Sequence, residues 1–344
     1  MHTLVVAGSR VIVERGALDR LGALLDGVVS AHRAAIVTDS NVGPLHAARA
    51  TAALGRLSPF VVSIPAGESH KTRETWARVT DEILAHNIGR DGVIVALEGG
   101  VVGDLAGFVA ATYLRGIPLV QVPTSLVAMI DASIGGKTAV DVPAGKNLVG
   151  AFHPAALVAV YPDLLETLPP REARSGMAEA LKHGVIADAA YFARLAAHSG
   201  APTIDLVARS IEIKADVVNQ DPREAGRRKI LNFGHTLGHA VEAESGYELT
   251  HGESIAIGMV LEARLGERIG ITAAGTTAAI MDALERAGLP SRTTLATARL
   301  VARTHTDKKA RAGAVEYALP AMIGRFEKWT AAVTDTDVLA ALGG

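Results

Sequence analysis

The chain has 344 residues, 49% of them hydrophobic and only 4% aromatic, which is material for two cores rather than one. Its 34 basic and 36 acidic residues leave a formal net charge of −2, so the charge balance points neither to nucleic acid nor to an anionic membrane surface. It has no cysteine, which excludes disulfides and thiolate ligands and leaves histidine and carboxylate to hold any transition metal.

No apolar run approaches the ~20 residues of a membrane span. The N-terminal MHTLVVAGSRVIVERG lacks the basic start and long apolar core of a signal peptide. A soluble cytoplasmic protein is the expectation. In chain order, AAIVTDSN reads as a strand and turn, 42–55 as helix, FVVSIPAGE as strand and loop, and 72–86 as helix. GVIVALEGG is a third, buried strand, followed by a glycine-rich turn and the helix DLAGFVAATYLRG. PLVQVPTS and ALVAVYPD supply two more strands. Near-continuous apolar strands separated by helices imply a parallel sheet covered on both faces, with ligands at the carboxyl ends of its strands. From about Leu164 the pattern turns helical: PPREARSGMAEALKHGVIAD, IDLVARSIEIKADVVNQ, RRKILNFGHTLGHAVEAES, GESIAIGMVLEARLGERIG and TAAIMDALERAG. The expected architecture is an α/β N-terminal domain with a parallel sheet over 1–165 and a mostly α-helical C-terminal domain over 166–344. A cleft between them is the expected active site.

The turn LEGGVVGDLAGF carries Gly99, Gly100, Gly103, Asp104 and Gly107. Glycines between strand and helix let a pyrophosphate approach the backbone at the helix N-terminus, although a plain tight turn explains them equally. TDSN (Asp39, Asn41) and PAGESHK (Glu68, Lys71) also end strands. A carboxylate there can accept ribose hydroxyls, although each by itself reads first as a turn or cap. In MIDASIGGKTAVDVPAGKNLVGAF, Asp131, Lys137, Lys146 and Asn147 sit among glycines, as suits a loop folding over an anion, or else a solvated loop. Arg115 by itself reads as a cation at a helix C-terminus.

His235 and His239, at i and i+4 in LNFGHTLGHA, face one spot if helical. GMAEALKHG places Glu179 and Lys182 on one face, with His183 one step off it. Glu179 is either a ligand or half of a surface pair with Lys182. LTHGES adds His251. Two imidazoles and a carboxylate from three helices are the ligand set of a catalytic zinc with an open position. His239 would then face substrate and shuttle a proton.

The runs GGVVGDLAGFVAATYLRG, IDASIGGKTAV, GKNLVGAF, TLPPRE, SGMAEALKHG, LNFGHTLGHAVEA and HGESIAIGM, in this order, resemble the 3-dehydroquinate synthases from about Val37 to Lys309. The resemblance implies a phosphate-eliminating cyclase of the shikimate pathway, acting on 3-deoxy-D-arabino-heptulosonate 7-phosphate. NAD+ would oxidise a ring hydroxyl, phosphate would leave, the ketone would be reduced again, and an aldol step would close the carbocycle. A ketone acidifies the neighbouring C–H, which makes phosphate loss possible, and a metal polarises the oxygen.

By the same resemblance Glu179, His235 and His251 bind one divalent ion, Zn2+ or Co2+, and His239 assists proton transfer. Lys182, Asp131, Lys137, Arg228 and Asn232 join it as catalytic residues. Lys146, Asn147, Lys214, Lys308 and Lys309 hold the substrate, and Arg115 reaches phosphate across a homodimer interface. Asp39, Asn41, Glu68, Lys71, Gly99, Gly100, Asp104, Thr124, Ser125, Lys137, Lys146 and Thr167 match NAD positions. Such a cation set counters a carboxylate and a phosphate without making the protein basic. The expected partner is thus a small phosphorylated sugar acid, with no nucleic acid or membrane.

Glu98 stands where the family usually has a glycine, and Glu316 where it often has a basic or neutral residue. The alternatives are another sugar phosphate cyclase, such as an amino-dehydroquinate or valiolone-type enzyme, a metal-dependent polyol dehydrogenase, and a non-catalytic NAD-binding protein on the same scaffold. GGKT, Lys214 and Arg228 favour the carboxylated substrate.

Overall fold

Valine- and isoleucine-rich runs form the strands β1 (His2–Val6), β2 (Ser9–Val13), β3 (Arg33–Asp39), β4 (Phe60–Ile64), β5 (Gly92–Glu98), β6 (Leu119–Pro123), β7 (Lys137–Val142), β8 (Gly145–Phe152) and β9 (Leu157–Val160). The structure, a computed structural model, describes residues 1–16, 18–200, 202–305, 310–311 and 314–343. Strands β7 and β8 pair with each other, and the rest make one sheet in the order β1-β2-β9-β6-β5-β3-β4. Every pair in it is parallel except the β1–β2 hairpin. The five strands read from sequence are all in this sheet. β6 and β9 are buried along their whole length, which is why they show as unbroken apolar runs.

Among β1 to β9, two hairpins were not anticipated. Ala7 and Gly8, both at positive φ (47° and 89°), turn β1 into β2 through a two-residue loop of the kind hairpins favour. The β7–β8 hairpin occupies the stretch read above as an anion loop.

Four helices accompany these strands: α1 (Leu21–Leu25), α2 (Gly43–Ala53), α3 (Arg73–Ala85) and α4 (Gly100–Thr112). α4 is apolar nearly all round, with Val102, Leu105, Ala106, Val109 and Ala110 buried, as a helix sealed in a core should be. A Cβ on Gly107 would lie 2.4 Å from Thr138 Cγ2, so glycine there lets α4 seat close to β7. The strand order reverses between β3, which leads to β4 on one side, and β5 on its other side. The crevice at such a reversal, beyond the strands' carboxyl ends, is where open α/β sheets bind ligands.

The remaining helices are α5 (Pro170–Ala187), α6 (Ala189–Ala196), α7 (Ile204–Gln220), α8 (His235–Glu244), α9 (His251–Arg268), α10 (Thr276–Arg286), α11 (Thr297–Thr304) and α12 (Asp335–Leu342). A small antiparallel sheet of β10 (Ala310–Arg311), β11 (Ala314–Tyr317) and β12 (Ala331–Val333) joins them. The chain divides into two compact units, residues 1–168 with 203–215 and residues 169–202 with 216–344. The first turns of α7 thus belong to the sheet unit.

In the helical unit Leu237, Val241, Ile257, Leu265, Leu300, Tyr317 and Val338 share one core, each large side chain contributing about 1.5–3 kcal/mol of burial. RRKILNFGHTLGHAVEAES is not one helix. A 3-10 turn at Arg227–Asn232 ends at Phe233, and Gly234, at φ +79°, restarts the chain as α8, a left-handed break that glycine adopts freely. Among the described residues no helix is long and apolar enough to cross a membrane.

Candidate metal and nucleotide sites

Within the helical unit, the break at Gly234 makes His235 the first residue of α8, and His251 is the first residue of α9. Both imidazoles therefore sit at the positive end of a helix, which disfavours their protonation. Glu179, midway along α5, is fully buried. Its Oε1 lies 3.4 Å from His235 Nε2 and 3.2 Å from His251 Nε2. One donor atom from each of the three lies within 4.8 Å of the others.

Lys182 forms an ion pair with Glu179 Oε2. Both side chains are buried, so the pair with Lys182 forms in the interior and the surface pair read from the sequence is corrected. His183 is also fully buried. Burial, and then the Lys182 charge, hold His235 well below the usual imidazole pKa. For His251 burial acts the same way, but the contact with Glu179 outweighs it and raises the pKa.

His235 Nδ1 lies 3.2 Å from the Phe233 carbonyl, so the neutral ring donates from Nδ1 and turns the Nε2 lone pair toward the Glu179 carboxylate. Two acceptors facing each other at 3.4 Å repel unless a cation lies between them. Two nitrogens and a carboxylate oxygen at this spacing fit a borderline divalent ion. His239, one turn along α8, is exposed, its ring centroid 5.3 Å from that of His235 and 6.1 Å from that of His251. His239, Glu242 and His251 form a second group of similar spacing.

Asp221 organises the loop before α8. Its carboxylate accepts from the backbone N–H groups of Ala225, Gly226 and Arg228 at 2.9, 2.7 and 3.0 Å. Arg228 is buried and donates from Nη1 to the Pro222 carbonyl at 2.6 Å. Asn232 Nδ2 donates to Glu224 Oε1 at 2.6 Å. Glu316 lies 2.8 Å from Lys229, so this departure from the family pattern has a local ionic partner. Lys308 and Lys309 lie outside the described residues.

The sheet unit collects a second cluster. Buried Lys71 donates from Nζ to Asp104 Oδ2 and to Asn147 Oδ1, both at 2.6 Å. Glu68 lies 3.8 Å from Lys71 and 3.7 Å from Lys146. Burial works against the Lys71 ammonium, but Asp104 and Glu68 together outweigh it and raise its pKa. Buried Lys214, on α7, donates to the Asp131 carbonyl at 2.5 Å and to its Oδ1 at 2.6 Å.

Gly99 and Gly100 open α4 beside Ser125 and Ala132. A Cβ on Gly99 would lie 3.4 Å from Ser125 Oγ, and one on Gly100 3.2 Å from Ala132 Cβ. The bare backbone at a helix N-terminus suits a pyrophosphate. Thr124 is buried beside Ser125. Asp39 Oδ1 accepts from Asn41 and Val42 N–H at 2.8 and 2.9 Å, so the turn role weighed above is realised. Thr167 Oγ1 lies 2.9 Å from His46 Nε2. Arg115, at φ +67° in a short turn after α4, and Lys137, on β7, are exposed. The Glu98 side chain lies outside the described part of the chain.

The family model described as 3-dehydroquinate synthase N-terminal matches residues 61–175, and the one described as 3-dehydroquinate synthase C-terminal matches residues 176–310. The chain belongs to the 3-dehydroquinate synthase family. It is 44% identical over 334 residues to the 3-dehydroquinate synthase of Caulobacter vibrioides, covering 91% of this chain and 90% of that one. It is 45% identical to the enzyme of Symbiobacterium thermophilum, covering 91% of each. Among solved structures, a 2-epi-5-epi-valiolone synthase from Streptomyces hygroscopicus subsp. jinggangensis 5008, with NAD+ and Zn2+ bound, superposes with a TM-score of 0.87 at 30% identity over 99% of this chain and 98% of that one.

Asp221, Glu224, Glu242 and Glu262 were missed by sequence reasoning. Only Asp221 gave a local sign, as an acidic residue opening the turn DPREAG.

Proposed function

We propose that the chain is a 3-dehydroquinate synthase, a lyase that converts 3-deoxy-D-arabino-heptulosonate 7-phosphate to 3-dehydroquinate and phosphate. The observation that carries the reading is the meeting of Glu179, His235 and His251 in a chain matched by both family models. Glu179, His235 and His251 would hold one divalent ion, Zn2+ or Co2+. The carboxyl ends of β3 to β6, with Asp39, Glu68, Lys71, Gly99, Gly100 and Asp104, would hold NAD+. When bound, the nucleotide takes up and returns a hydride and the ion polarises the oxygen at the reacting carbon.

The side chains of the chain do the rest. Lys182, held against Glu179, places a fixed positive charge beside the ligand carboxylate and adds to the burial that keeps the His235 imidazole neutral. His239, exposed next to both imidazoles, takes and gives protons as the carbon skeleton loses phosphate and recloses. Arg228 and Lys214, pre-positioned by Pro222 and Asp131, offer cations to carboxylate and phosphate. They are held in place by backbone and side-chain oxygens, so little side-chain entropy is lost on binding. Asn232, fixed by Glu224, offers an amide to a ring hydroxyl, and Lys137, Lys146 and Asn147 extend the same role. In this reading the enzyme is a cytoplasmic homodimer in which exposed Arg115 reaches the partner's substrate.

The similarity to a valiolone synthase sets the decisive comparison. Steady-state phosphate release is expected from the heptulosonate phosphate and not from sedoheptulose 7-phosphate. The opposite preference would refute the assignment.

A further inference from the structure

Glu262 lies three turns into α9, fully buried in the helical unit. A carboxylate so placed costs free energy unless its oxygens are well used. Here Oε2 accepts from the Gly234 backbone N–H at 2.7 Å and Oε1 from the Leu237 N–H at 3.0 Å. Those are the N-cap and third residues of α8, the positions at which helices leave donors unsatisfied. Gly234 has no side chain to cap them, whereas α9 opens on its own capping box of Thr250 and Glu253. The cap of α8 thus comes from the neighbouring helix.

The segment it pins runs from Gly234 to Leu237 and contains His235. Around it the backbones touch with no slack. A Cβ on Gly234 would lie 3.0 Å from Met259 N and 3.1 Å from the Ile255 carbonyl oxygen, and one on Gly238 3.1 Å from the Ser254 carbonyl oxygen. His251 begins the same helix that carries Glu262. One rigid element therefore fixes both imidazoles, His251 directly and His235 through two hydrogen bonds to the turn that bears it.

We infer that Glu262 is a positioning residue for the metal centre, its carboxylate capping α8 so that His235 is held in register with His251 and Glu179. The inference rests on the assignment of His235 as a ligand made above. Outer groups that orient ligands are worth tenfold to a hundredfold in metal affinity. A glutamine at 262 keeps the shape but turns an amide donor toward one of the two N–H groups.

The test is equilibrium dialysis of the apo-protein against Co2+, with the cobalt visible spectrum recorded, on wild type, Glu262→Gln and His235→Ala. Glu262→Gln is expected to bind Co2+ at least tenfold more weakly with an altered spectrum, while binding NAD+ like wild type by calorimetry. Wild-type Co2+ affinity and spectrum in Glu262→Gln, alongside loss in His235→Ala, would overturn the role of Glu262 alone. Retention by both variants would overturn the ligand assignment itself. Hydrogen exchange on the unmodified protein gives a reading that does not depend on a variant folding. The Gly234 and Leu237 amides should be strongly protected, and exchange at the rate of an open first turn would overturn the inference.

Discussion

Replacing Gly258 by alanine should separate the two histidine-bearing helices. The added Cβ would lie 2.0 Å from the Gly234 carbonyl oxygen, 2.6 Å from Gly238 N and 2.8 Å from Gly238 Cα. An ordinary carbon–oxygen contact is about 3.3 Å, so α8 must retreat by roughly 1 Å, because its backbone, unlike a side chain, cannot rotate aside. Overpacking of this kind costs about 1–3 kcal/mol, and backbone neighbours put it near 3. Exchanging glycine for alanine inside a helix returns about 1 kcal/mol, which leaves a net loss of about 2. At about 2–4 °C per kcal/mol the melting temperature should fall by roughly 4–8 °C. The shift also exceeds the ~0.5 Å within which a site must be held, so zinc retained after gel filtration should drop in the folded variant. Differential scanning calorimetry and metal analysis read both effects. A variant with wild-type melting and wild-type zinc would show that the glycine contacts do not set the site.

Three further outcomes are expected. His235→Ala should lose the metal, whereas His239→Ala should keep it and lose about 10²–10⁴ in kcat; metal analysis showing equal zinc in both would break the division of roles. Lys71→Met should cost about 3 kcal/mol in urea unfolding, since it leaves Asp104 without its buried cation, and should weaken NAD+ binding measured by calorimetry. Asp221→Asn should raise KM for the sugar phosphate severalfold at unchanged zinc content, because the loop carrying Arg228 loses its three-fold acceptor. Burial works against the Asp221 carboxylate, yet the Gly226, Arg228 and Ala225 N–H groups prevail and hold its pKa below the usual carboxylate range. Its contribution to stability is therefore present at neutral pH and lost only when acid protonates the folded group.

What was legible in the sequence follows from how far each signal reaches along the chain. β5, β6 and β9 are buried on both faces, so continuous apolar runs betray them. The histidines of α8 and α9 stand in short motifs whose helical spacing is local. The β1–β2 hairpin went unread because its turn is Ala-Gly rather than Asn-Gly. RRKILNFGHTLGHA read as one helix because apolar periodicity does not show that Gly234 takes a left-handed conformation. Glu262 looked like one more charge on an amphipathic helix. Its partners lie 28 and 25 residues away in sequence, and only the packing of α9 on α8 brings them together. The pairing of Asp131 with Lys214, 83 residues apart, was hidden for the same reason.

The central claim is that Glu179, His235 and His251 share one divalent ion. Anomalous scattering at the zinc edge from crystals of the zinc-loaded protein tests it most directly. The account predicts one strong peak within about 2.0–2.2 Å of a Glu179 oxygen and of Nε2 of both histidines. A peak seated instead among His239, Glu242 and His251, or none in the helical unit, would contradict it.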